Sequence, residues 1–389
     1  MQLDLLDGDF YAGDPDPTYA RLRREAPVLR DDANRLWGIS RHADVIAIEK
    51  DPELWSSAQG FRPGLPSDAS MIGADDPRHL EQRRVLYRRF TPRVVRECEA
   101  RLRERVARLI EGFAARGRAE LVAELAIPLP VMTILELMGF DPEAWPRFAK
   151  WAEITNAAGG GPRYMHPGVL AAVQDFVAEA RELLLARRRA PRDDAFSAML
   201  AASAKGSCRR SDDEILMESL LLLNGGSDTT RHVIAGAALA LCEHPDQQQL
   251  LRADPSRIPV AVEEFVRWVT PLLNMCRSAT RDTLLHGQRI RAGDQVLLMY
   301  GSANRDEAVF REPQRFDVTR EPNPHLGFGF GTHFCLGASL ARLELRVVFE
   351  ELLRRLPPLR LAPGAAPRCV PNAFTRGLEA LPVEFAASA

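Results

Sequence analysis

The chain has 389 residues, of which 46% are hydrophobic, and its 51 basic and 53 acidic residues leave a formal net charge of -2. This composition is typical of a globular protein with one large domain or two of ordinary size. The near-neutral charge gives no overall attraction to nucleic acid or to an anionic membrane. The first nine residues alternate acidic and apolar side chains, so we expect neither a signal peptide nor a membrane anchor.

The predicted secondary structure is mostly helical. Apolar residues recur every three or four positions in segments 17–25, 77–90, 94–116, 131–137, 169–188, 212–241, 260–268 and 336–354. Strand signals are short and lie at 37–39 with Val45, at 284–296 with turns at Gly287 and Gly293, and at 383–385. No long linker or repeat divides the chain. We therefore predict a mainly α fold with small antiparallel β-sheets and a single domain over residues 1–389.

The first candidate pair along the chain is His79 and Arg83. They lie four residues apart, on one face of the helix that is predicted to begin after Pro77. On an arginine-rich helix such a pair usually belongs to a solvated face. The spacing alone therefore does not establish a site.

The longest apolar segment, residues 220–242, is interrupted by Asn224, Asp228, Arg231 and His232. Each central charge would cost about 2.5 to 3.5 kcal/mol in a bilayer, so the segment is predicted to be a buried helix. Two consecutive glycines, Gly225-Gly226, would cost this helix about 1 kcal/mol each relative to alanine. Such a cost favours a close approach to a ligand, with Thr229 bonding back to a preceding carbonyl and opening the helix locally. An N-terminal capping cluster is the alternative, and the apolar residues on both sides disfavour it.

Glu264 and Arg267 place a carboxylate and a guanidinium three residues apart on an amphipathic helix. On an exposed face, this pair would contribute only about 0.2 to 0.5 kcal/mol. The spacing by itself is compatible with an ordinary surface ion pair.

A glycine-rich loop delivers Cys335 to the start of an apolar helix, in the run Phe328-Gly329-Phe330-Gly331-Thr332-His333-Phe334-Cys335-Leu336-Gly337. Backbone N–H groups and the helix dipole are expected to favour a thiolate there. The loop lacks the G-x-G-x-x-G spacing of a dinucleotide site, which excludes that interpretation. The other five cysteines form no C-x-x-C pair, so zinc and iron–sulfur sites are not predicted, and unpaired cysteines agree with a reducing cytoplasm.

The spacing Phe-x-x-Gly-x-x-x-Cys-x-Gly resembles the proximal loop of the cytochrome P450 family, and the resemblance covers nearly the whole chain. Segments 224–234, 273–277 and 325–345 are similar to the actinobacterial branch that oxidises the terminal carbon of a sterol side chain. The resemblance implies the single-domain cytochrome P450 fold. It also implies a haem-thiolate monooxygenase with haem b (iron protoporphyrin IX) as cofactor.

The resemblance also assigns expected roles to residues of this chain. Cys335 is the expected metal ligand, and Asp228 with Thr229 is the expected catalytic pair that delivers protons. The expected haem contacts are His79, Arg83, Gly226, Thr230, Arg277, Phe328, Gly329, His333 and Gly337. The expected substrate-pocket residues are Ile72, Leu222, Leu273, Met275 and Phe374. Glu264 and Arg267 resemble the family's buried ion pair, with Arg315 expected as its third member.

The implied reaction uses dioxygen and two external electrons to hydroxylate a hydrophobic substrate, with a sterol as the preferred candidate. Because no flavin, nicotinamide or iron–sulfur motif is present, a ferredoxin and a ferredoxin reductase are the expected electron donors. We further expect a monomer in the cytoplasm. One alternative is tailoring of a macrolide, a peptide or a carrier-bound amino acid. A haem-based gas or redox sensor is an alternative of another class; it would need Cys335 but not Asp228 and Thr229.

Overall fold

The computed structural model describes residues 2–386. Its α-helices are α1 (Gly8–Ala12), α2 (Asp16–Glu25), α3 (His42–Glu49), α4 (Arg78–Tyr87), α5 (Pro92–Glu97), α6 (Glu99–Ala114), α7 (Pro128–Met138), α8 (Trp145–Ala157), α9 (Pro167–Arg189), α10 (Ala195–Ala204), α11 (Asp212–Glu243), α12 (Pro245–Ala253), α13 (Ile258–Val269), α14 (Tyr300–Ala303) and α15 (Ala338–Arg355). None of the helices described is long and apolar enough to cross a membrane.

The strands form three small sheets. They are β1 (Val28–Asp31), β2 (Leu36–Ile39), β3 (Trp55–Ser56), β4 (Arg118–Glu120), β5 (Asn274–Ala279), β6 (Thr283–Leu285), β7 (Gln288–Ile290), β8 (Gln295–Met299), β9 (Arg360–Leu361) and β10 (Pro382–Glu384). The orders are β1-β2-β8-β5-β3, β4-β10-β9 and β6-β7. Every pair is antiparallel except β2 with β8, which is parallel, with Trp37 opposite Val296.

The mainly α fold with small sheets is confirmed, and each predicted helical segment overlaps a helix. The segment 94–116 is divided at Cys98 into α5 and α6. Val45 was expected in a strand but lies in α3, because Val45 and Ile48 are three residues apart and both pack into the core. Besides α3, the helices α1, α8, α10, α12 and α14 had no prediction. Tertiary packing decides such short helices more than intrinsic propensity does.

The long helix α11 organises the core. Its first turn is capped by Ser211 and Glu214, each of which bonds the backbone N–H of the other. From there α11 runs for 32 residues without a break and packs against α7, α8, α13 and α15. The opening predicted at Gly225-Gly226 is therefore wrong: the backbone stays helical because neighbouring helices hold it on several sides.

Candidate active site

A tight turn presents Cys335 at the start of α15. Gly331 has a φ of 67°, and a Cβ there would lie 2.2 Å from the carbonyl oxygen of Glu49, so only glycine fits this close approach. The Cys335 N–H donates to the Phe328 carbonyl (2.9 Å), which closes the loop. The sequence thus builds a rigid platform that holds one sulfur at a helix N-terminus.

The Cys335 side chain is exposed, and it lines a large cavity. Burial raises the pKa of the Cys335 thiol above its ordinary value, and the N–H groups of Gly337 and Ala338 and the guanidinium of Arg83 lower it only in part. The N–H groups at the start of the helix favour the thiolate as expected, but burial outweighs them. A bound metal cation would deprotonate the thiol.

Polar side chains gather at one edge of this cavity. His79, Arg83, Arg277 and His333 all line it, as expected. The two imidazole rings are 4.2 Å apart between centroids. Burial, together with Arg277, His79 and Arg83, lowers the pKa of His333 to about 2, so this ring is a neutral hydrogen-bonding group.

The two arginines of this edge have different neighbours. Arg83 donates to the carbonyl oxygen of Phe334 (2.6 Å) and so braces the cysteine loop. Arg277 donates to the Cys276 carbonyl (2.8 Å) and lies 3.5 Å from the Glu49 carboxylate. Arg277 therefore remains a buried cation on the cavity wall.

Glu49 was missed by the sequence interpretation. Its Oε1 accepts from the Tyr300 hydroxyl (2.7 Å), whereas its buried Oε2 has no hydrogen-bond partner. Burial raises the pKa of Glu49 to about 7, against the opposing effect of Arg277. Nothing local in the helix His42–Glu49 indicates that its last residue reaches a cavity.

These residues fit a haem. Within residues 2–386, no cluster of three or more His, Cys, Asp or Glu side chains could hold a metal ion. A metal at Cys335 would therefore need its other ligands from a macrocycle. The buried guanidinium of Arg277 and the imidazoles suit the carboxylates of such a group. Gly226, Thr230, Phe328, Gly329 and Gly337, the other expected haem contacts, also line the cavity.

The middle of α11 forms another part of the cavity wall. A Cβ at Gly225 would meet nothing within 4 Å, whereas a Cβ at Gly226 would lie 2.7 Å from Ile134 on α7. The first glycine therefore leaves open space in the cavity, and the second allows two helices to pack closely. Thr229 lines the cavity, and its hydroxyl donates to the Gly225 carbonyl (3.0 Å), the back-bond expected from the sequence.

Asp228 is buried beside this wall but does not line the cavity. Its Oδ1 lies 2.7 Å from Nε of Arg231, and its Oδ2 lies 3.2 Å from Nε2 of His232. Burial raises the pKa of Asp228, but His232 and Arg231 outweigh it and hold the pKa below its ordinary value. Asp228 is therefore an ionised, paired carboxylate adjacent to Thr229.

Most of the remaining wall is apolar. Ile72, Leu222 and Met275 line the cavity as expected, but Leu273 and Phe374 do not. Leu273 lies just before β5 and packs into the core cluster around Leu5 and Leu297. Phe374 is covered by the guanidinium of Arg62, which lies 3.3 Å from the ring centroid. The neighbour Leu272 takes the position on the wall instead.

The expected ion pair of Glu264 and Arg267 is fully buried, with two bonds of 2.7 Å. Its third member is Arg320, whose Nε lies 3.1 Å from Glu264, and not Arg315. The Arg315 side chain pairs with Glu312 at the surface, and only its backbone carbonyl accepts from Arg267. Arg315 and Arg320 are five residues apart, and either could be the third member from sequence alone. The path of the chain after Pro313 brings Arg320 to Glu264.

A sequence model described as cytochrome P450 matches residues 168–363. The Steroid C26-monooxygenase of Mycobacterium tuberculosis is 42% identical over 99% of this chain and 98% of its own length. A methyl-branched lipid omega-hydroxylase of Mycobacterium bovis is 37% identical over 98% of this chain and 94% of its own. Among solved structures, CYP109E1 from Bacillus megaterium in complex with testosterone matches with a TM-score of 0.90 and 28% identity, over 97% of this chain and 99% of that one.

Proposed function

The chain belongs to the cytochrome P450 family and is a monooxygenase, and we propose that it hydroxylates the terminal carbon of a sterol side chain. The family assignment implies a haem-iron cofactor, and the relatives named as monooxygenase and hydroxylase set aside the gas-sensor alternative. The single observation that carries the proposal is one cavity that brings together Cys335, Thr229 and an apolar wall.

The cofactor we propose is haem b. Cys335 would bind the iron, and Arg83, Arg277, His79 and His333 would hold the carboxylates. When bound, haem supplies the metal centre that activates dioxygen. The cavity residues around it exclude bulk water, because most of the side chains that line the remaining wall are apolar.

Thr229 and Asp228 are the proposed groups that hold and move protons. The Thr229 hydroxyl donates to a helix carbonyl, so it must rotate away from Gly225 before it can donate to a water in the cavity. Asp228 is ionised and paired, so it can pass a proton only after it gains one, and Nε2 of His232 lies 3.2 Å from its Oδ2. A short rearrangement along one turn of α11 would therefore connect the buried carboxylate to the cavity.

A long, apolar substrate fits the wall formed by Ile72, Leu222, Leu272 and Met275, which offers no charged side chain of its own. Two relatives aligned over nearly the whole chain are named for C26 and omega positions, the ends of hydrocarbon chains. We therefore place the reaction at a terminal carbon and prefer a sterol, because the more similar relative is named for a steroid.

We propose that a ferredoxin, reduced by its reductase, supplies the electrons. The helix α4 presents Leu80, Arg84 and Tyr87 on one exposed face, and Arg83 on the same helix bonds the cysteine loop. An exposed face that combines arginine and apolar side chains next to the metal ligand suits an acidic partner. A single domain over residues 1–389, a monomer and a cytoplasmic location stay predictions.

The test is turnover of the haem-loaded protein with a surrogate ferredoxin and reductase. Cholesterol and a long methyl-branched fatty acid would be compared with a macrolide precursor, and the position of oxygen insertion would be assigned by mass spectrometry and NMR. We expect the sterol to be hydroxylated at its side-chain terminus. Turnover of the macrolide precursor without turnover of either terminal-carbon substrate would overturn the proposal.

A further inference from the structure

Arg62 is a buried cation without an anionic partner. It is 4% exposed, and no carboxylate of residues 2–386 forms an ion pair with it. Two of its donors, Nε and Nη1, have no acceptor, and Nη2 donates to the Asn274 carbonyl (3.2 Å) and to the sulfur of Met275. Buried guanidinium groups are normally paired, because an unpaired buried charge is costly.

A second buried arginine of the same chain shows the usual arrangement. Arg23 is 3% exposed, and it pairs with Glu307 (2.8 Å) and donates to the Ser302 carbonyl (2.9 Å). Arg62 has the same burial but no counterpart to Glu307. The difference indicates a missing anion rather than a general tolerance of buried arginine in this fold.

The surroundings of Arg62 place it directly behind the cavity wall. Its Nη2 contacts the sulfur of Met275, which lines the cavity, and its guanidinium stacks on Phe374 at 3.3 Å from the ring centroid. The backbone of Phe61 bonds the N–H of Cys276 (3.0 Å), which fixes this segment along β5. Met275 is unbranched and flexible, so a change of its rotamer would release the Nη2 donor that it contacts.

We propose that Arg62 is a carboxylate-binding subsite of this cavity. The planar guanidinium fork matches a carboxylate with two parallel bonds, and Nε is one of the donors left free. The carboxylate could come from an amphipathic apolar ligand in the cavity or from the cofactor, whose expected partner Arg277 lies on the same strand two residues beyond Met275. The inference rests on the proposed function only in taking this cavity as the one that binds substrate and cofactor.

The first arm of the test measures equilibrium binding to the haem-loaded protein by ligand-induced spectral shift, with hexadecanoate and hexadecan-1-ol as probes. If the carboxylate belongs to the ligand, the acid should bind about tenfold or more tightly than the alcohol. Arg62→Met should remove this preference with little change for the alcohol, and Arg62→Lys should keep part of it. Arg23→Gln is the matched control, because it alters a buried arginine that already has its carboxylate.

The second arm measures haem transfer to apomyoglobin. Faster transfer from Arg62→Met, with an unchanged preference between acid and alcohol, would assign the carboxylate to the cofactor instead. If Arg62→Met alters neither the acid preference nor the transfer rate, the subsite does not exist and Arg62 is only a packing residue. Neither readout requires turnover, so a failure of sterol hydroxylation would remain distinguishable from a failure of this inference.

Discussion

Glu264 on α13 and Asp228 on α11 are both buried carboxylates with an arginine three residues later on the same helix, yet their surroundings differ. Glu264 accepts from Arg267 twice (2.7 Å each), from Arg320 (3.1 Å), from Asn323 (3.1 Å) and from a backbone N–H. Several of these donors come from the segment that follows α14. Glu264 therefore ties two distant parts of the chain together.

Asp228 has fewer partners, and both lie on its own helix. Arg231 and His232 pair with its two oxygens, and the adjacent Thr229 lines the cavity. An imidazole is the side chain that most readily changes its charge near neutral pH, whereas a guanidinium does not. The same i,i+3 pattern thus joins distant segments at Glu264, whereas at Asp228 it places a carboxylate beside the cavity, where we propose a route for protons.

The largest expected effect is the loss of the Glu264 network. Glu264→Ala should lower the free energy of unfolding by about 3 to 5 kcal/mol, because it leaves buried guanidinium groups unpaired. Denaturant unfolding followed by circular dichroism measures it, with Arg315→Ala as the control that should stay within about 0.5 kcal/mol. If Glu264→Ala were as stable as the parent protein, the proposed stabilising role of Glu264 would be contradicted.

For Asp228 we expect a defect in turnover and not a loss of stability. Asp228→Asn should slow turnover about 10²-fold with little change in substrate affinity, and Thr229→Ala should release peroxide in place of product. Product and peroxide are measured per electron consumed. Ser227→Ala is the control, since its hydroxyl bonds the Leu223 carbonyl away from the cavity. Unchanged coupling in both Asp228→Asn and Thr229→Ala would reduce this part of α11 to a structural role.

Glu218 is another buried carboxylate, and one of its oxygens has no hydrogen-bond partner. Burial raises its pKa to about 7, despite Arg210 and the N–H of Met71. The folded state therefore binds more protons than the unfolded state between about pH 4.5 and 7, so this contribution to stability is lost as pH rises through that window. Glu218→Gln should flatten the pH dependence there, whereas the exposed Glu104→Gln should leave it unchanged; the opposite pattern would refute the assignment.

A smaller effect is expected for the exposed Arg84. Neither burial nor a fixed partner strengthens its interaction with the ferredoxin. Arg84→Glu should lower kcat/KM for the ferredoxin about two- to fivefold at low salt, and less at high salt. Arg189→Glu makes the same charge change at the exposed end of α9 and should have no effect. Equal losses in both variants would show a general charge effect rather than a docking surface on α4.

Local signals predicted the cysteine loop well, because the glycines, Cys335 and the start of α15 are contiguous in sequence. Gly225, Gly226 and Thr229 were also predicted to line the cavity, since they interrupt one apolar helix. The bond from Asp228 to His232 was not predicted, although both residues lie on that helix. This bond depends on the direction in which the two side chains point within one helical turn. Residue spacing alone does not fix that direction.

Other features depend on contacts between distant segments. Glu49 lines the cavity, and its backbone lies against Gly331 from a distant segment of the chain. Arg320 replaces Arg315 because of the path of the chain after α14, and Phe374 is hidden by an arginine more than three hundred residues earlier. No periodicity in the sequence encodes these contacts, so they follow from the fold rather than from any motif.

We propose that Cys335 is the thiolate ligand of a haem. The most direct measurement is the absorption spectrum of the reduced protein with carbon monoxide, recorded for the parent protein and for Cys335→Ser, with Cys276→Ser as a buried control. We predict the long-wavelength band of thiolate-bound haem in the parent and in Cys276→Ser, and its loss in Cys335→Ser. Retention of that band in a folded Cys335→Ser protein would contradict the account.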